Sequence, residues 1–219
     1  MTQRIVDLTH QIDHGMTTYP GLPAPEISDH LSREASRERY APGTEFHIGQ
    51  IVMVGNTGTY LDTPFHRYPD GSDLSSTPLE RMTELDGVLV DADGLTSIDV
   101  DLVGKYDVEG KAVLLRTGWS RNWGTDAYFT GHPFLTAEGA AWLVEHRAAL
   151  VGIDSLNIDS TATGERPAHT QLLAAGIPIV EHLRGLDELP PAGFRFNAAP
   201  APVAKFGTFP VRAYAVVPA

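Results

Sequence analysis

Two short segments of the chain carry acidic and histidine side chains at spacings that could support catalysis or metal binding. In DTPFH, Asp62 and His66 are four residues apart with Pro64 between them. Because proline cannot continue a helix, the two side chains should converge from a loop or a strand end, as a metal ligand beside a general base would. The competing interpretation is a turn followed by a surface histidine, and this short motif alone favours that interpretation.

A second acid–histidine pair lies far along the chain, in HTQLLAAGIPIVE. His169 should begin a short helix, and Glu181 follows twelve residues later in a predicted strand with apolar neighbours. A buried carboxylate is costly unless it is paired, hydrogen-bonded or bound to a metal, so Glu181 is a candidate functional residue. An edge strand that exposes Glu181 to water explains the spacing equally well.

The composition indicates a globular protein and excludes some partners. The 219 residues, of which 42% are hydrophobic, fit one domain, predicted as 1-219. The net charge of -12 argues against a nucleic-acid partner, which would require clustered Lys and Arg. No run approaches the roughly 20 apolar residues that span a bilayer. Cys is absent. We therefore expect a cytoplasmic protein with a small-molecule substrate, no membrane partner, and neither disulfides nor thiolate metal sites.

Predicted strands outnumber predicted helices. Buried strands are expected in GVLVDADGL, AVLLRTG and ALVGIDSL, and further strands in RIVDLTHQI and VRAYAVV. EFHIGQIVMVGNTGTYLD alternates well enough to be one long strand or a hairpin. TAEGAAWLVEHR opens with a threonine cap and is the clearest helix. The mixture predicts an α/β domain with a mixed sheet rather than a Rossmann or TIM arrangement.

Several segments, in the same order, resemble the metal-dependent cyclase/hydrolase superfamily that contains bacterial kynurenine formamidase and isatin hydrolase. They are DLTHQIDHGMTTYPGLPAP, TGTYLDTPFHRYPDG, LLRTGWSRNWGTDAYFTGHPFLTAEGAAWL, LVGIDSLNID, HTQLLAAGIPIVEHL and FGTFPVRAYAVV, which together cover nearly the whole chain. The resemblance implies one α/β domain with a mixed, barrel-like sheet and flanking helices, the swivelling β/β/α fold. It also implies a homodimer or homotetramer.

The family's hallmark, His-x-Gly-Thr-His-x-Asp-x-Pro-x-His, is incomplete in this chain. Its first two histidines fall at Asn56 and Tyr60. Its last three named residues fall at Asp62, Pro64 and His66. In family members the first two histidines and the Asp bind a divalent ion, usually zinc or manganese, and the last His transfers protons. Because Asp62, His66 and Glu181 are retained around the two replaced positions, a rebuilt site is favoured over a relic.

A later His and Glu complete a metal site in the family, and here they match His169 and Glu181. The resemblance thus implies Asp62, His169 and Glu181 as metal ligands. Asn offers only a neutral amide oxygen and Tyr binds metals well only as a phenolate, so the ion held by the two histidines should be absent or weakened. Two alternatives therefore stay open: the remaining ligands hold one divalent ion, or the site is metal-free.

The resemblance implies an enzyme that hydrolyses, or reversibly closes, a small cyclic amide, lactone or N-formyl substrate. The expected catalytic residues are His66, Asp62 and Tyr60, and the expected substrate-binding residues are Asn56, His47, Tyr19 and Trp119. Two alternatives stay open. One is a metal-independent biosynthetic cyclase or dehydratase/isomerase that uses Tyr60 and His66, and the other is a non-catalytic ligand-binding protein on the same fold.

Overall fold

Nine strands form one mixed sheet in the computed structural model, which describes residues 2–218. The strands are β1 (Gln3–Asp7), β2 (Glu26–Leu31), β3 (Ile48–Val52), β4 (Tyr60–Asp62), β5 (Leu85–Asp91), β6 (Ser97–Ile98), β7 (Ala112–Arg116), β8 (Phe134–Leu135), β9 (Leu150–Ile153), β10 (Ile179–Glu181), β11 (Ala192–Asn197), β12 (Thr208–Pro210) and β13 (Tyr214–Pro218). The helices are α1 (Arg33–Ser36), α2 (Val100–Val103), α3 (Ala137–Glu145) and α4 (Pro167–Ala174). Short 3-10 turns occupy Pro64–His66, Leu79–Arg81, Trp119–Asn122, Asp126–Phe129 and Leu186–Glu188.

The large sheet is parallel in its middle and antiparallel towards both edges. Its strand order is β1-β13-β11-β5-β7-β9-β10-β4-β12, and the pairs β5–β7, β7–β9 and β9–β10 are parallel. These four strands are the apolar runs of the sequence, and their residues are largely buried, as expected for strands covered on both faces. The predicted α/β class with a mixed sheet is confirmed.

Alternating side chains of the sheet fill two separate cores. Val113 and Leu115 of β7 pack in a core that also contains apolar residues of α3 and α4. Ala112 and Leu114 point to the opposite face and pack with residues of β1, β4, β11 and β13. Because strands from both ends of the sheet contribute to this second core, the sheet curls around it as a half-barrel. This confirms the barrel-like core and flanking helices that were predicted.

The segment EFHIGQIVMVGNTGTYLD forms neither one long strand nor a hairpin within itself. Strand β3 pairs with β2 in a separate two-stranded hairpin, and β4 begins at Tyr60 after a loop. All five residues of β3 are exposed, so the alternation in the sequence does not mark a buried face. The hairpin leaves Ile27, Ile51 and Val52 about half exposed. The homodimer or homotetramer stays a prediction.

The clearest predicted helix is confirmed as α3, whose first turn is capped by Thr136. The Thr136 hydroxyl accepts a hydrogen bond from the backbone N–H of Gly139 at 3.0 Å. At nine residues α3 is also the longest helix among residues 2–218. None of the helices in that range has the length and apolar character needed to cross a membrane. The exact domain boundaries stay a prediction.

Candidate active site

Strand β4 carries two of the candidate residues and lies between β10 and β12. Its register pairs Tyr60 with Glu181 of β10, and Asp62 with Thr208 of β12. The side chains of Tyr60, Asp62 and Glu181 are almost completely buried. Three adjoining strands, which lie far apart in the sequence, therefore bring polar groups together inside the domain.

The chain turns sharply after β4 and brings His66 back towards Asp62. Residues Pro64–His66 form a 3-10 turn, so no continuous helix runs through the pair, as Pro64 predicted. Nδ1 of His66 lies 3.7 Å from Oδ1 of Asp62. Gly207 packs directly against the turn, because a Cβ atom at that position would lie 2.3 Å from the backbone nitrogen of His66. The turn can approach β12 this closely only because residue 207 has no side chain.

Thr208 connects Asp62 to His66 and fixes the protonation of the imidazole. The Thr208 hydroxyl donates its one hydrogen to Oδ1 of Asp62, and its oxygen lies 2.7 Å from Nδ1 of His66. Since that hydrogen is already used, Nδ1 of His66 must be the donor. In neutral His66 the lone pair is therefore on Nε2, which is available for proton transfer or for metal binding.

His169 is oriented by a carboxylate that the sequence did not single out. Its Nδ1 lies 2.7 Å from Oδ2 of Asp159, which also accepts the backbone N–H of His169. Nδ1 therefore carries the hydrogen, and Nε2 faces Oδ2 of Asp62 at 3.8 Å and Oε1 of Glu181 at 3.6 Å. A carboxylate that fixes the tautomer of an imidazole in this way is a regular feature of metal-binding histidines.

Glu181 lies in an internal strand, so the exposed edge strand is excluded for this residue. Its Oε1 accepts the backbone N–H of Ile158 at 2.6 Å, and its Oε2 accepts the hydroxyl of Tyr60 at 2.6 Å. Burial, together with the negative charges of Glu181 and Asp62, raises the pKa of Tyr60 well above its usual value. Tyr60 is therefore a neutral phenol that donates to Glu181, which does not suit a phenolate metal ligand.

A second buried histidine, His182, extends the hydrogen bonds of Tyr60 further into the protein. Nε2 of His182 lies 3.3 Å from the Tyr60 hydroxyl, and Nδ1 lies 2.9 Å from the hydroxyl of Tyr128. In a continuous strand His182 and Glu181 would face opposite sides, but β10 ends at Glu181. His182 has a φ of 56°, so the alternation stops and both residues contact Tyr60. Burial lowers the pKa of His182 to about 3, which leaves a neutral ring that holds Tyr60 in place.

The charges around His169 fit a bound cation. Oδ2 of Asp62 is buried and has no hydrogen-bond partner among residues 2–218. Burial alone would lower the pKa of His169, but Glu181, Asp159 and Asp62 together raise it to about 10. Asp62, His66 and His169 present ligand atoms within 4.8 Å of one another. Carboxylate oxygen and imidazole nitrogen are ligands that divalent transition metals accept, so the residues present suit such an ion.

A cavity of about 890 Å³ gives access to these groups. The predicted site residues that line it are Tyr19, Asn56, Tyr60, His66, His169 and Glu181. Two predicted substrate-binding residues lie elsewhere. His47 contacts Asp29 at 2.7 Å beside the exposed hairpin, and the indole N–H of Trp119 donates to the backbone oxygen of Tyr128 at 3.0 Å. The structure therefore does not bring His47 or Trp119 into the lining of this cavity.

Four residues that contact the site were not candidates from the sequence. Asp159 lies ten residues before His169, in LVGIDSLNID, and an acidic residue in the loop that follows the predicted strand ALVGIDSL is a signal that could have identified it. Thr208, Tyr128 and His182 gave no comparable signal. Their contacts depend on strand register, on a 3-10 turn and on a left-handed residue.

Comparison with known proteins identifies the family that this fold and site define. Residues 6–160 match the Cyclase family model, and the chain belongs to this family. It is 28% identical to kynurenine formamidase of Bacillus cytotoxicus over 209 residues, which cover 95% of each chain. A solved structure described as a potential metal-dependent hydrolase with cyclase activity is 26% identical, covers 100% of both chains and gives a TM-score of 0.79. Isatin hydrolase A from Ralstonia solanacearum shares the fold, with 24% identity, coverage of 99% of this chain and 92% of that chain, and a TM-score of 0.82.

The proton on His169 should make the stability of the chelator-treated protein depend on pH. The pKa of His169 rises from 6.5 to about 10 on folding, so between these values the folded state holds a proton that the unfolded chain has released. Stability is therefore lost as the pH rises. Burial also raises the pKa of Glu181. Between pH 7.5 and 9.5 the free energy of unfolding should fall by up to about 1.4 kcal/mol per pH unit.

Denaturant unfolding at pH 7.5, 8.5 and 9.5 measures this slope. His169→Gln should remove it, and a saturating divalent ion should also remove it, because metal binding displaces the proton from Nε2. An unfolding free energy that stays flat over this range in the chelator-treated wild-type protein would contradict the charge arrangement described above.

Proposed function

We propose that the protein is a hydrolase that cleaves the amide or ester bond of a small N-formyl, cyclic amide or lactone substrate. The observation that carries this proposal is the buried Oδ2 of Asp62, which has no hydrogen-bond partner within residues 2–218 and faces Nε2 of His169 beside a cavity lined by His66. The relatives named kynurenine formamidase and isatin hydrolase support an amide bond as the target. The cavity is large enough for a small aromatic substrate.

One divalent ion, zinc or manganese, is proposed to be held by Asp62, His169 and Glu181. Each oxygen of Glu181 accepts one hydrogen bond and keeps a lone pair for a metal. When bound, such an ion supplies Lewis-acid polarisation of the scissile carbonyl and lowers the pKa of water. Asn56 and Tyr60 stand where the family has histidines, and neither an amide nor a neutral phenol replaces an imidazole ligand.

His66 is proposed to transfer the proton of the reaction. Its Nδ1–H is held by Thr208, which leaves the lone pair of Nε2 free to accept a proton from the attacking water. The same atom returns that proton to the leaving nitrogen or oxygen as the bond to the acyl carbon breaks. Asp62, which accepts a hydrogen bond from Thr208, stabilises the positive charge that His66 carries between these two steps.

The metal-independent alternative, in which Tyr60 and His66 act as acid and base, has less support from the geometry. The hydroxyl hydrogen of Tyr60 is engaged by Glu181 at 2.6 Å. Its oxygen lies 3.3 Å from His182 on the other side. A phenol that acts as a general acid must release its proton to the substrate, and here burial and two nearby carboxylates disfavour the phenolate that would remain.

Metal content is the first test of this proposal. Purified protein should hold about one divalent ion per chain, because Asp62, His169 and Glu181 supply ligands for one ion and Asn56 and Tyr60 supply none for a second. Elemental analysis measures the ratio. Chelation should abolish hydrolysis of formanilide and of isatin, and addition of zinc or manganese should restore it.

The double variant Asn56→His with Tyr60→His provides the matched comparison, because it rebuilds the two missing imidazoles in the same cavity. Its ion content should rise towards two per chain. Two tightly held ions in the wild-type protein would contradict the proposed ligand set, and full activity after complete removal of metal would contradict the proposed metal dependence.

A further inference from the structure

The cavity lining has two basic and two acidic residues, whereas acidic residues predominate in the chain as a whole. The chain has 28 acidic and 16 basic residues. Two of its arginines line the cavity. Arg67 directly follows His66 in the sequence, and Arg166 lies three residues before His169. Among residues 2–218, neither guanidinium forms an ion pair with a carboxylate. Neither charge is therefore neutralised by a direct ion pair.

Arg166 is fixed in position by neutral groups. Its Nη1 donates to the backbone oxygens of Ser160, Thr163 and Glu165 at 3.2, 2.9 and 2.6 Å. Carbonyl oxygens orient the guanidinium without cancelling its charge. Within residues 2–218 the structure gives no hydrogen-bond partner to Nε or Nη2, which form the other edge of the planar group. Two parallel N–H groups on one edge are the arrangement that binds a carboxylate through two hydrogen bonds.

Arg67 is less constrained than Arg166 but lines the same cavity. Its guanidinium carbon lies 5.5 Å from the centre of the Tyr68 ring, and the Tyr68 hydroxyl donates to the backbone oxygen of Thr170 in α4 at 2.8 Å. The aromatic ring is thereby tied to the helix that carries His169. Glu165 also lines the cavity, but its carboxylate forms no ion pair with either arginine.

We propose that Arg166, assisted by Arg67, binds a carboxylate group carried by the substrate, separate from the bond that is cleaved. The substrate would then be a small amide or ester with a permanent negative charge at one end. Arg166 acts by orienting that end, which places the acyl group beside His66 and His169. This inference rests on the proposed hydrolase function, and it adds the chemical class of the substrate.

Two matched substrates test the inference, formanilide and its ortho-carboxylate derivative. Wild-type protein should prefer the carboxylate substrate in kcat/KM. Arg166→Met should lower kcat/KM for that substrate by about 10-fold to 100-fold, mainly through KM, the scale of a lost hydrogen-bonded charge. The same variant should change kcat/KM for the neutral substrate by less than about 3-fold. Arg67→Met should show the same selectivity with a smaller effect.

Arg121→Met is the control, because Arg121 is paired with Asp93 at 2.8 Å and does not line the cavity. It should leave the kcat/KM of both substrates unchanged. Equal losses for both substrates in Arg166→Met, with no effect of Arg67→Met, would overturn the inference and assign Arg166 to holding its loop. A wild-type protein with no preference for the carboxylate substrate would also overturn it.

Failure of the hydrolase proposal can be separated from failure of this inference by a binding measurement. Calorimetry compares benzoate with benzamide, neither of which is a formamide or a cyclic amide. Wild-type protein should bind benzoate at least about 10-fold more tightly, and Arg166→Met should remove most of the difference. Selective benzoate binding in a protein that cleaves neither formamide would retain the anion site and reject the hydrolase. Equal affinities for the two ligands would reject the anion site itself.

Discussion

Asp62→Asn should lower kcat/KM for amide hydrolysis by about 1000-fold and reduce the divalent ion content to near zero. Oδ2 of Asp62 faces His169 and has no hydrogen-bond partner in the described part of the chain, and Oδ1 holds His66 through Thr208. Removing its charge therefore weakens ion binding and proton transfer together, and about 4 kcal/mol of transition-state stabilisation corresponds to this factor.

Asp154→Asn is the matched control, since Asp154 is the same residue type and also buried. Its two oxygens accept three hydrogen bonds, from the backbone and hydroxyl of Thr117 and from the backbone of Gly118. An amide would set an N–H against one of these donors, so stability should fall by about 1–3 kcal/mol while ion content and kcat/KM stay unchanged. If Asp62→Asn keeps both its activity and its ion, Asp62 is needed neither for ion binding nor for proton transfer.

His66→Ala should reduce kcat by about 100-fold while the protein keeps its ion and its melting temperature. His66 is about one-third exposed, so its removal leaves no buried cavity, and the expected factor is that of a lost general acid–base. Steady-state kinetics and elemental analysis on the same preparation provide the two measurements. His146→Ala, at the exposed end of α3, is the control and should match the wild-type protein.

The outcome for the ion decides between two roles of His66. Asp62, His66 and His169 present ligand atoms within 4.8 Å of one another, so His66 is also placed to bind a metal. Loss of the ion together with activity in His66→Ala would make His66 a ligand of the ion. Turnover near that of the wild-type protein, with the ion retained, would show that His66 takes no part in the reaction.

The parts of the site that could be predicted from the sequence are those that depend on local chemistry. Pro64 forbids a helix between Asp62 and His66, and the structure has a 3-10 turn there. Glu181 interrupts an apolar strand, and it is indeed buried and hydrogen-bonded. The helix after Thr136 and the parallel apolar strands follow from capping and from hydrophobic pattern. Each of these inferences uses residues only a few positions apart.

The remaining features depend on contacts between distant parts of the chain, and local patterns do not contain that information. Thr208 meets Asp62 across 146 residues, and the pairing is decided by the register of β12 on β4. The direction of the Tyr60 hydroxyl depends in the same way on the register of β10. His47 was misplaced because β3, which follows it, belongs to a hairpin outside the main sheet, where alternation does not mark a buried face.

The position of β4 between β10 and β12 also sets the order in which the protein can become active during its synthesis. Both neighbours of β4 are made later, and β12 lies more than 140 residues further along the chain. At typical elongation rates, about 7 to 30 seconds separate the synthesis of Asp62 from that of Thr208. Until β10 is made, Leu61 has neither neighbouring strand to pair with, and until β12 is made, Asp62 lacks the threonine that hydrogen-bonds to it. A ribosome that stalls before β12 therefore carries a chain with most of its parallel sheet but no assembled site, and activity marks the last stage of folding.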